Sequence, residues 1–226
     1  MKVFVLVEGP SERVLLERWA RRAFPGHQFL LRPHQGKGEL PKRKDADPRR
    51  RGLLDQLPAT LRAYAKTCTA NEAVLVLVDA DDGDCKALKR RLVELARSEC
   101  PKLRVVFRIA VEETEAFYFG DLKAIKAAFP DADMDRARRF VPDSLPANGT
   151  AEEFATVVGD DTLRKVDWAE RMSTKLTTNP AASRSPSFKA LHTGIKKLVQ
   201  VARAPKRKPK KNWKSRHSSI RKRKRG

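Results

Sequence analysis

Cysteine is scarce in this sequence: Cys68, Cys85 and Cys100 are the only three among 226 residues. They stand at no metal-ligand spacing, which excludes a zinc module. One must stay unpaired after any disulfide, so a reducing, cytoplasmic setting is expected. The four histidines, His27, His34, His192 and His217, are scattered and support no histidine-based catalysis. Long apolar runs are missing too. Val3-Phe4-Val5-Leu6-Val7 is cut off by Glu8, too short for a signal peptide or a membrane span. No internal repeat and no G-x-x-x-x-G-K-[ST] phosphate loop occurs.

Acids are outnumbered, 28 against 49 Lys and Arg, for a formal charge of +21. Residues 203–226 hold 13 of the basic residues and no acid, leaving +8 on residues 1–202. A basic body with a strongly basic tail suits a polyanion, because each neutralised phosphate releases counterions. The plainer reading of the tail is a solubilising end.

Apolar patterning gives the fold. Residues 3–7 and Val74-Leu75-Val76-Leu77-Val78 are continuous apolar runs, as strands buried on both faces require. Residues 28–32 suggest another strand. Residues 103–111 alternate, with Leu103, Val105, Phe107, Ile109 and Val111 opposite Arg104 and Arg108. Helices are expected from a Ser11 cap to about Phe24, from Pro58 at a first turn to Lys66, and after Asp84 with Leu88, Leu92 and Leu95 as a stripe. Others are expected from about Thr114 to Phe129, from a Thr150/Glu153 capping box to Gly159, and from a Ser187 cap with Phe188, Leu191, Ile195 and Leu198 inward. Residues 33–52 read as a long loop. The order predicts an α/β fold: a parallel sheet of about four strands flanked by helices, with a C-terminal helical extension and a basic tail. The organisation expected is a core at 1–129, a helical extension packed on it at 130–202, and a flexible tail at 203–226.

Open parallel sheets bind ligands outside the carboxyl ends of their strands. Glu8 ends the first strand, Asp79 ends the third with Asp81 two residues on, and 103–111 runs into Glu112-Glu113-Thr114-Glu115. Taken alone, Glu8 reads as a charge at a helix N-terminus, and Asp79–Asp84 as an acidic turn with an N-cap. Together they place oxygen donors on one sheet edge, which suits a hard cation such as Mg²⁺ or Mn²⁺. Glu113 and Glu115 project to one side if the chain there is extended; Glu112 reads as solvated.

Val7-Glu8-Gly9-Pro10-Ser11-Glu12 and Val78-Asp79-Ala80-Asp81 resemble the V-E-G-x-x-E and D-x-D motifs of TOPRIM cores, most similarly those of overcoming-lysogenization-defect (OLD) type nucleases. Glu113-Thr114-Glu115-Ala116-Phe117 resembles an E-x-E-A-W element of small TOPRIM-like proteins, with Phe117 in place of Trp. His34-Gln35-Gly36-Lys37-Gly38-Glu39-Leu40 and Ser185-Pro186-Ser187-Phe188-Lys189 resemble further elements of that group. The likeness covers roughly residues 1–121 and 183–200. It implies a two-metal nuclease, with Glu8, Asp79 and Asp81 as metal ligands and Glu12 helping to hold the second ion. The acids that follow strand 103–111 add Glu113 or Glu115 to that second ion as an expectation. Primases of the class need a zinc module, and topoisomerases need a catalytic tyrosine in a large separate domain. Three scattered cysteines, with Tyr64 and Tyr118 as the only tyrosines, supply neither.

The expected reaction is in-line attack of a metal-activated water on a DNA or RNA phosphodiester. Lys37, between Gly36 and Gly38, is either a charge stabiliser or part of a solvated loop. Lys37, Lys42, Arg43, Lys44, Arg49, Arg50 and Arg51, with Lys206, Arg207, Lys208, Lys210, Lys211 and Trp213 in the tail, are candidates to grip nucleic acid. The resemblance also implies an anti-phage effector controlled by a separate ABC- or AAA-type ATPase, with oligomers allowed. Two alternatives stay open: a non-catalytic subunit that binds nucleic acid or docks on an ATPase, and an RNA-associated protein whose tail does the binding.

Overall fold

The computed structural model describes residues 1–41, 49–81, 84–111, 113–144 and 149–200. Four parallel strands form one sheet in the order β2-β1-β3-β4: β1 (Lys2–Val7), β2 (Gln28–Pro33), β3 (Glu72–Asp79) and β4 (Val105–Ala110). The chain steps from β1 outward to β2, then returns to the other side of β1 with β3. The topological switch therefore lies between β1 and β3, where open sheets of this kind bind their ligands.

The continuous apolar runs are explained by burial on both faces. Val3, Val5, Val7, Ala73, Leu75 and Leu77 face one core. Leu6, Val74, Val76 and Val78 face the other. Between them, β1 and β3 contribute few residues to solvent, which is why their sequence shows no polar alternation. In β4, Val105, Phe107 and Ile109 share a face as expected. The opposite face carries Arg104 and Arg108. Their guanidinium groups donate to Leu198 O and Ala190 O, each at 2.6 Å, on the helix that covers them.

One side of the sheet is covered by α2 (Leu53–Thr67) and α3 (Cys85–Glu99). The other side is covered by α1 (Pro10–Ala23) together with α4 (Ala116–Phe119), α5 (Leu122–Ala128), α6 (Met134–Arg139), α7 (Thr150–Val158), α8 (Lys165–Lys175) and α9 (Pro186–Gln200). Trp19 of α1 is fully buried against Phe188 of α9, and its indole N–H donates to Thr177 O at 2.9 Å. Phe117 also packs on Phe188, so the Phe in the Trp position fills the core with an aromatic ring.

Several boundaries differ from the expectation. The α1 cap is Gly9, not Ser11; the Glu12 carboxylate accepts from Gly9 N–H at 2.9 Å. The helix expected to begin at Pro58 begins at Leu53, because Asp55 accepts from Gly52 N–H at 3.2 Å and starts it early. Pro58 then lies inside α2 and forfeits one backbone hydrogen bond near the helix start. The single helix expected from Thr114 to Phe129 is two, α4 and α5, broken at Gly120-Asp121, where Asp121 caps α5 through Ala124 N–H. Thr150 is the first residue of α7 and not its cap. Glu153 is taken by a two-pronged pair with Arg136 at 2.6 and 2.8 Å instead of reaching back to the cap. At α9 the Ser185 hydroxyl accepts from Phe188 N–H, while Ser187 donates to Asp143 at 2.6 Å. Among the described residues no helix is long and apolar enough to cross a membrane.

Candidate metal centre

Glu8 follows the last residue of β1, and Asp79 is the last residue of β3. The Asp79 N–H donates to Glu8 Oε1 at 2.7 Å, which locks the two strand ends together at the switch point. Asp79 is partly buried, and its Oδ1 atom is sealed from solvent with no hydrogen-bond partner among the described residues. A buried carboxylate oxygen without a donor is costly unless something else occupies its lone pairs.

The loop after β2 closes over this point. Gly36 N–H donates to Glu8 O at 2.9 Å, and His34 N–H donates to Val7 O at 3.0 Å. Leu53 and Leu54, in the first turn of α2, donate their N–H groups to Gly36 O and Lys37 O at 2.8 and 2.7 Å. Gly38, at φ +63°, stands back to back with Gly52: a Cβ on Gly52 would lie 2.5 Å from Gly38 Cα, and one on Gly38 would overlap Asp55. Two glycines are therefore required for the loop to meet α2 at this distance. The result is a fixed Lys37, whose ammonium donates to Asp81 Oδ2 at 2.9 Å and Ala80 O at 3.1 Å. Asp81 itself is exposed and held at φ +51°.

The chain after β4 turns at Thr114-Glu115 and is not extended, so Glu113 and Glu115 do not align as the strand period suggested. Both nonetheless reach Lys165, the first residue of α8. Its ammonium lies 2.6 Å from Glu113 Oε1 and 4.0 Å from Glu115 Oε1. Glu113 Oε2 accepts from Ala151 N–H of α7 at 2.9 Å. Glu115 is 1% exposed, and its Oε1 atom has no hydrogen-bond partner among the described residues. Glu12 is buried; besides Gly9 N–H it accepts from the Ser11 and Thr114 hydroxyls at 2.9 and 3.2 Å.

Crowding shifts these acids together. Burial pushes the Glu8 carboxyl up to about 7; Asp81 and Glu12 add to the rise, against the Asp79 N–H and Lys37. Burial raises Asp79 well above the usual carboxylate range, with the charges of Glu8, Glu12, Glu115 and Glu113 adding. Burial, Glu113 and Glu12 carry Glu115 to about 7 against the pull of Lys165. Burial alone would depress Lys165, but Glu115 and Glu113 hold it above its ordinary value. The crowded carboxyls at this sheet edge therefore hold on to protons more tightly than free ones.

The fit to a divalent ion can be judged from the donors. Asp79 Oδ1 has a free buried lone pair beside Glu8, and both belong to adjacent strand ends. That suits Mg²⁺, which takes one or two carboxylates and keeps several waters. No group of three or more Asp, Glu, His or Cys converges into a closed cage among the described residues. Asp81, expected beside Glu8 and Asp79 as a ligand, is instead paired with Lys37.

A family model described as "Domain of unknown function (DUF4276)" matches residues 7–196. The chain belongs to this DUF4276 family. The matched span runs from the end of β1 into α9, so Glu8, Lys37, Asp79, Glu115 and Lys165 all lie inside the DUF4276 domain. Neither the curated proteins nor the solved structures contain a match.

Of the expected nucleic-acid residues, Arg50 is engaged in structure: its guanidinium pairs with Asp55 at 3.1 Å and Glu39 at 3.6 Å. Arg49 and Arg51 are exposed. Arg51 lines a cavity of about 620 Å³ with Arg32, His34, Gln35, Gln56 and Tyr64, directly beside the loop that covers Glu8. Lys42, Arg43, Lys44, Glu112 and the tail residues Lys206, Arg207, Lys208, Lys210, Lys211 and Trp213 lie outside the described residues. Lys165 was missed by sequence reading. It stands 52 positions from Glu113, and nothing local marks a lysine at a helix start as a partner for acids.

Proposed function

We propose that this chain is a TOPRIM-type, Mg²⁺- or Mn²⁺-dependent nuclease that hydrolyses phosphodiester bonds of DNA or RNA. The observation that carries the reading is the unpartnered, buried Asp79 Oδ1 beside Glu8 at the β1/β3 switch point. Glu8 and Asp79 would hold the ion. When bound, it would lower the pKa of its water and neutralise charge on the phosphodiester. Asp79 N–H orients the Glu8 carboxylate by donating to Oε1, leaving Oε2 for the ion. Lys37 is held over the site by the Gly36–Gly38 loop and can swing from Asp81 to a phosphate oxygen. Arg51 and Arg32 in the adjoining cavity continue the cationic path along a nucleic-acid backbone. The sequence has no nucleotide-binding loop, so control by a separate ATPase, in an anti-phage setting, belongs to the same proposal.

The test is cleavage of plasmid DNA and structured RNA with Mg²⁺ or Mn²⁺. Glu8→Gln and Asp79→Asn should each cut at least about 100-fold more slowly than the parent, the usual scale for losing a group that stabilises charge in the transition state. Variants that cut as fast as the parent would sink the reading.

One observation favours a second reading. Lys37 already neutralises Asp81 at 2.9 Å, and no three acids converge among the described residues. A DUF4276 chain that binds nucleic acid or docks on an ATPase without cutting would tolerate that arrangement. Tight, metal-independent binding of nucleic acid with no cleavage under any divalent ion would favour it.

A further inference from the structure

The two-ion site implied by the TOPRIM resemblance needs Glu12 and Glu113 or Glu115 as ligands of a second ion, and the described residues do not fit that role. Both oxygens of Glu12 are already engaged, by Gly9 N–H and by the hydroxyls of Ser11 and Thr114. Both oxygens of Glu113 are engaged as well, one by the Lys165 ammonium at 2.6 Å and one by Ala151 N–H at 2.9 Å. Of these three acids, Glu115 has a buried oxygen without a hydrogen-bond partner among the described residues, and the same ammonium lies 4.0 Å from it.

We infer that Lys165 is a tethered cation standing in the place of a second metal ion, so that the acid cluster binds one divalent ion and not two. The inference rests on the cation site proposed at Glu8 and Asp79. Three features make Lys165 more than a surface ion pair. Its two partners come from the turn after β4, while it comes from the start of α8, so the bridge joins the sheet edge to the helical layer. Glu115 is 1% exposed, and a carboxylate so deeply buried needs a compensating charge. The α7 N-terminus fixes the second oxygen of Glu113, so that carboxylate cannot rotate to a metal without losing a backbone donor. An ammonium held there repels a divalent ion approaching the same oxygens, whereas Asp79 Oδ1 stays open to one. Lys165 is thus a positioning residue: it holds the Glu113 and Glu115 side chains in place behind the ion that Asp79 and Glu8 would take.

The test counts Mn²⁺ on the full chain with the metal alone, by loss of the free-ion paramagnetic signal as protein is added. The parent is expected to bind one ion per chain. Lys165→Met, which leaves Glu113 and Glu115 without their cation, is expected to bind two. Two ions on the parent would overturn the inference and leave the Glu8/Asp79 site standing. No ion on the parent would overturn both. One ion on a folded Lys165→Met chain would show that the lysine excludes nothing, and that too would overturn it. The parent count is decisive even if Lys165→Met does not fold.

Discussion

The backbone N–H of Asp79 donates to the side chain of Glu8 at 2.7 Å, joining residues 71 positions apart across the switch point of the sheet. This bond uses one oxygen of Glu8 and no oxygen of Asp79, so it orients the pair without consuming it. Substitutions that keep an oxygen acceptor at position 8 should therefore preserve the fold while changing its chemistry.

Lys37 sets a positive charge beside the ion site proposed at Glu8 and Asp79. Lys37→Met removes a cation held 2.9 Å from the Asp81 carboxylate. Mn²⁺ should then bind roughly tenfold more tightly, the effect of removing about 1–2 kcal/mol of charge repulsion near a protein surface. Binding of a polyanion should weaken at the same time. Calorimetric titrations with Mn²⁺ and with a metal-free oligonucleotide measure the two effects separately. Parallel weakening of both would contradict the assignment.

The pH dependence of stability follows from Glu8 and Glu115, whose carboxyls are each pushed from 4.5 to about 7. Both bind a proton more tightly in the folded chain than in the unfolded one. The metal-free protein therefore loses stability as pH rises through 4.5 to 7, the reverse of the usual carboxylate case. The loss should be roughly 3 kcal/mol for buried Glu115 and less for the more accessible Glu8. Denaturant melts with a chelator at pH 5 and pH 8 give the difference, and Glu115→Gln should flatten it. Mn²⁺ should restore the Glu8 part of that stability at pH 8, because an ion held by Glu8 and Asp79 would take the place of the proton there. A profile that rises with pH without metal would contradict the account.

Gly38→Ala should cost about 2 kcal/mol. It puts a side chain at φ +63°, where the new Cβ overlaps Asp55. Lys37 loses its fixed position, so cleavage should fall by more than global unfolding explains. Thermal melts beside cleavage rates at a temperature where the variant is fully folded separate the two.

The fold was legible where burial is continuous. The run from Val74 to Val78 faces apolar cores on both sides, as its short length, β-branched valines and flanking turns suggested. That Glu8 and Asp79 meet at one sheet edge was legible because both stand at the ends of such runs. Helix starts were harder to read. Ser11 and Thr150 look like caps, yet the backbone turns one or two residues earlier, at Gly9 and Gly149, where a glycine offers no side-chain signal. Glu12, expected as a metal ligand, caps α1 in the structure; a capping carboxylate and a coordinating one are the same residue type at the same offset. Lys165 and Ala151 were illegible because their role depends on α7 and α8 folding back to the sheet edge, a long-range event with no local pattern.

Removing residues 203–226 deletes 13 basic residues. Nucleic-acid affinity should fall, and its dependence on salt should become shallower by close to one unit of slope for each phosphate that the tail no longer neutralises. Cleavage of saturating substrate should persist, since Glu8, Asp79 and Lys37 remain. Filter binding across a salt series, with cleavage at high substrate, checks both. Complete loss of cleavage would instead assign the chemistry or the fold to the tail.

The most direct measurement is a calorimetric titration of Mn²⁺ into the parent chain and into Asp79→Asn, both folded, at pH 8. The account predicts a saturable heat from the parent and none from Asp79→Asn. Equal binding by the two proteins, or none by the parent, would contradict a metal centre at Glu8 and Asp79.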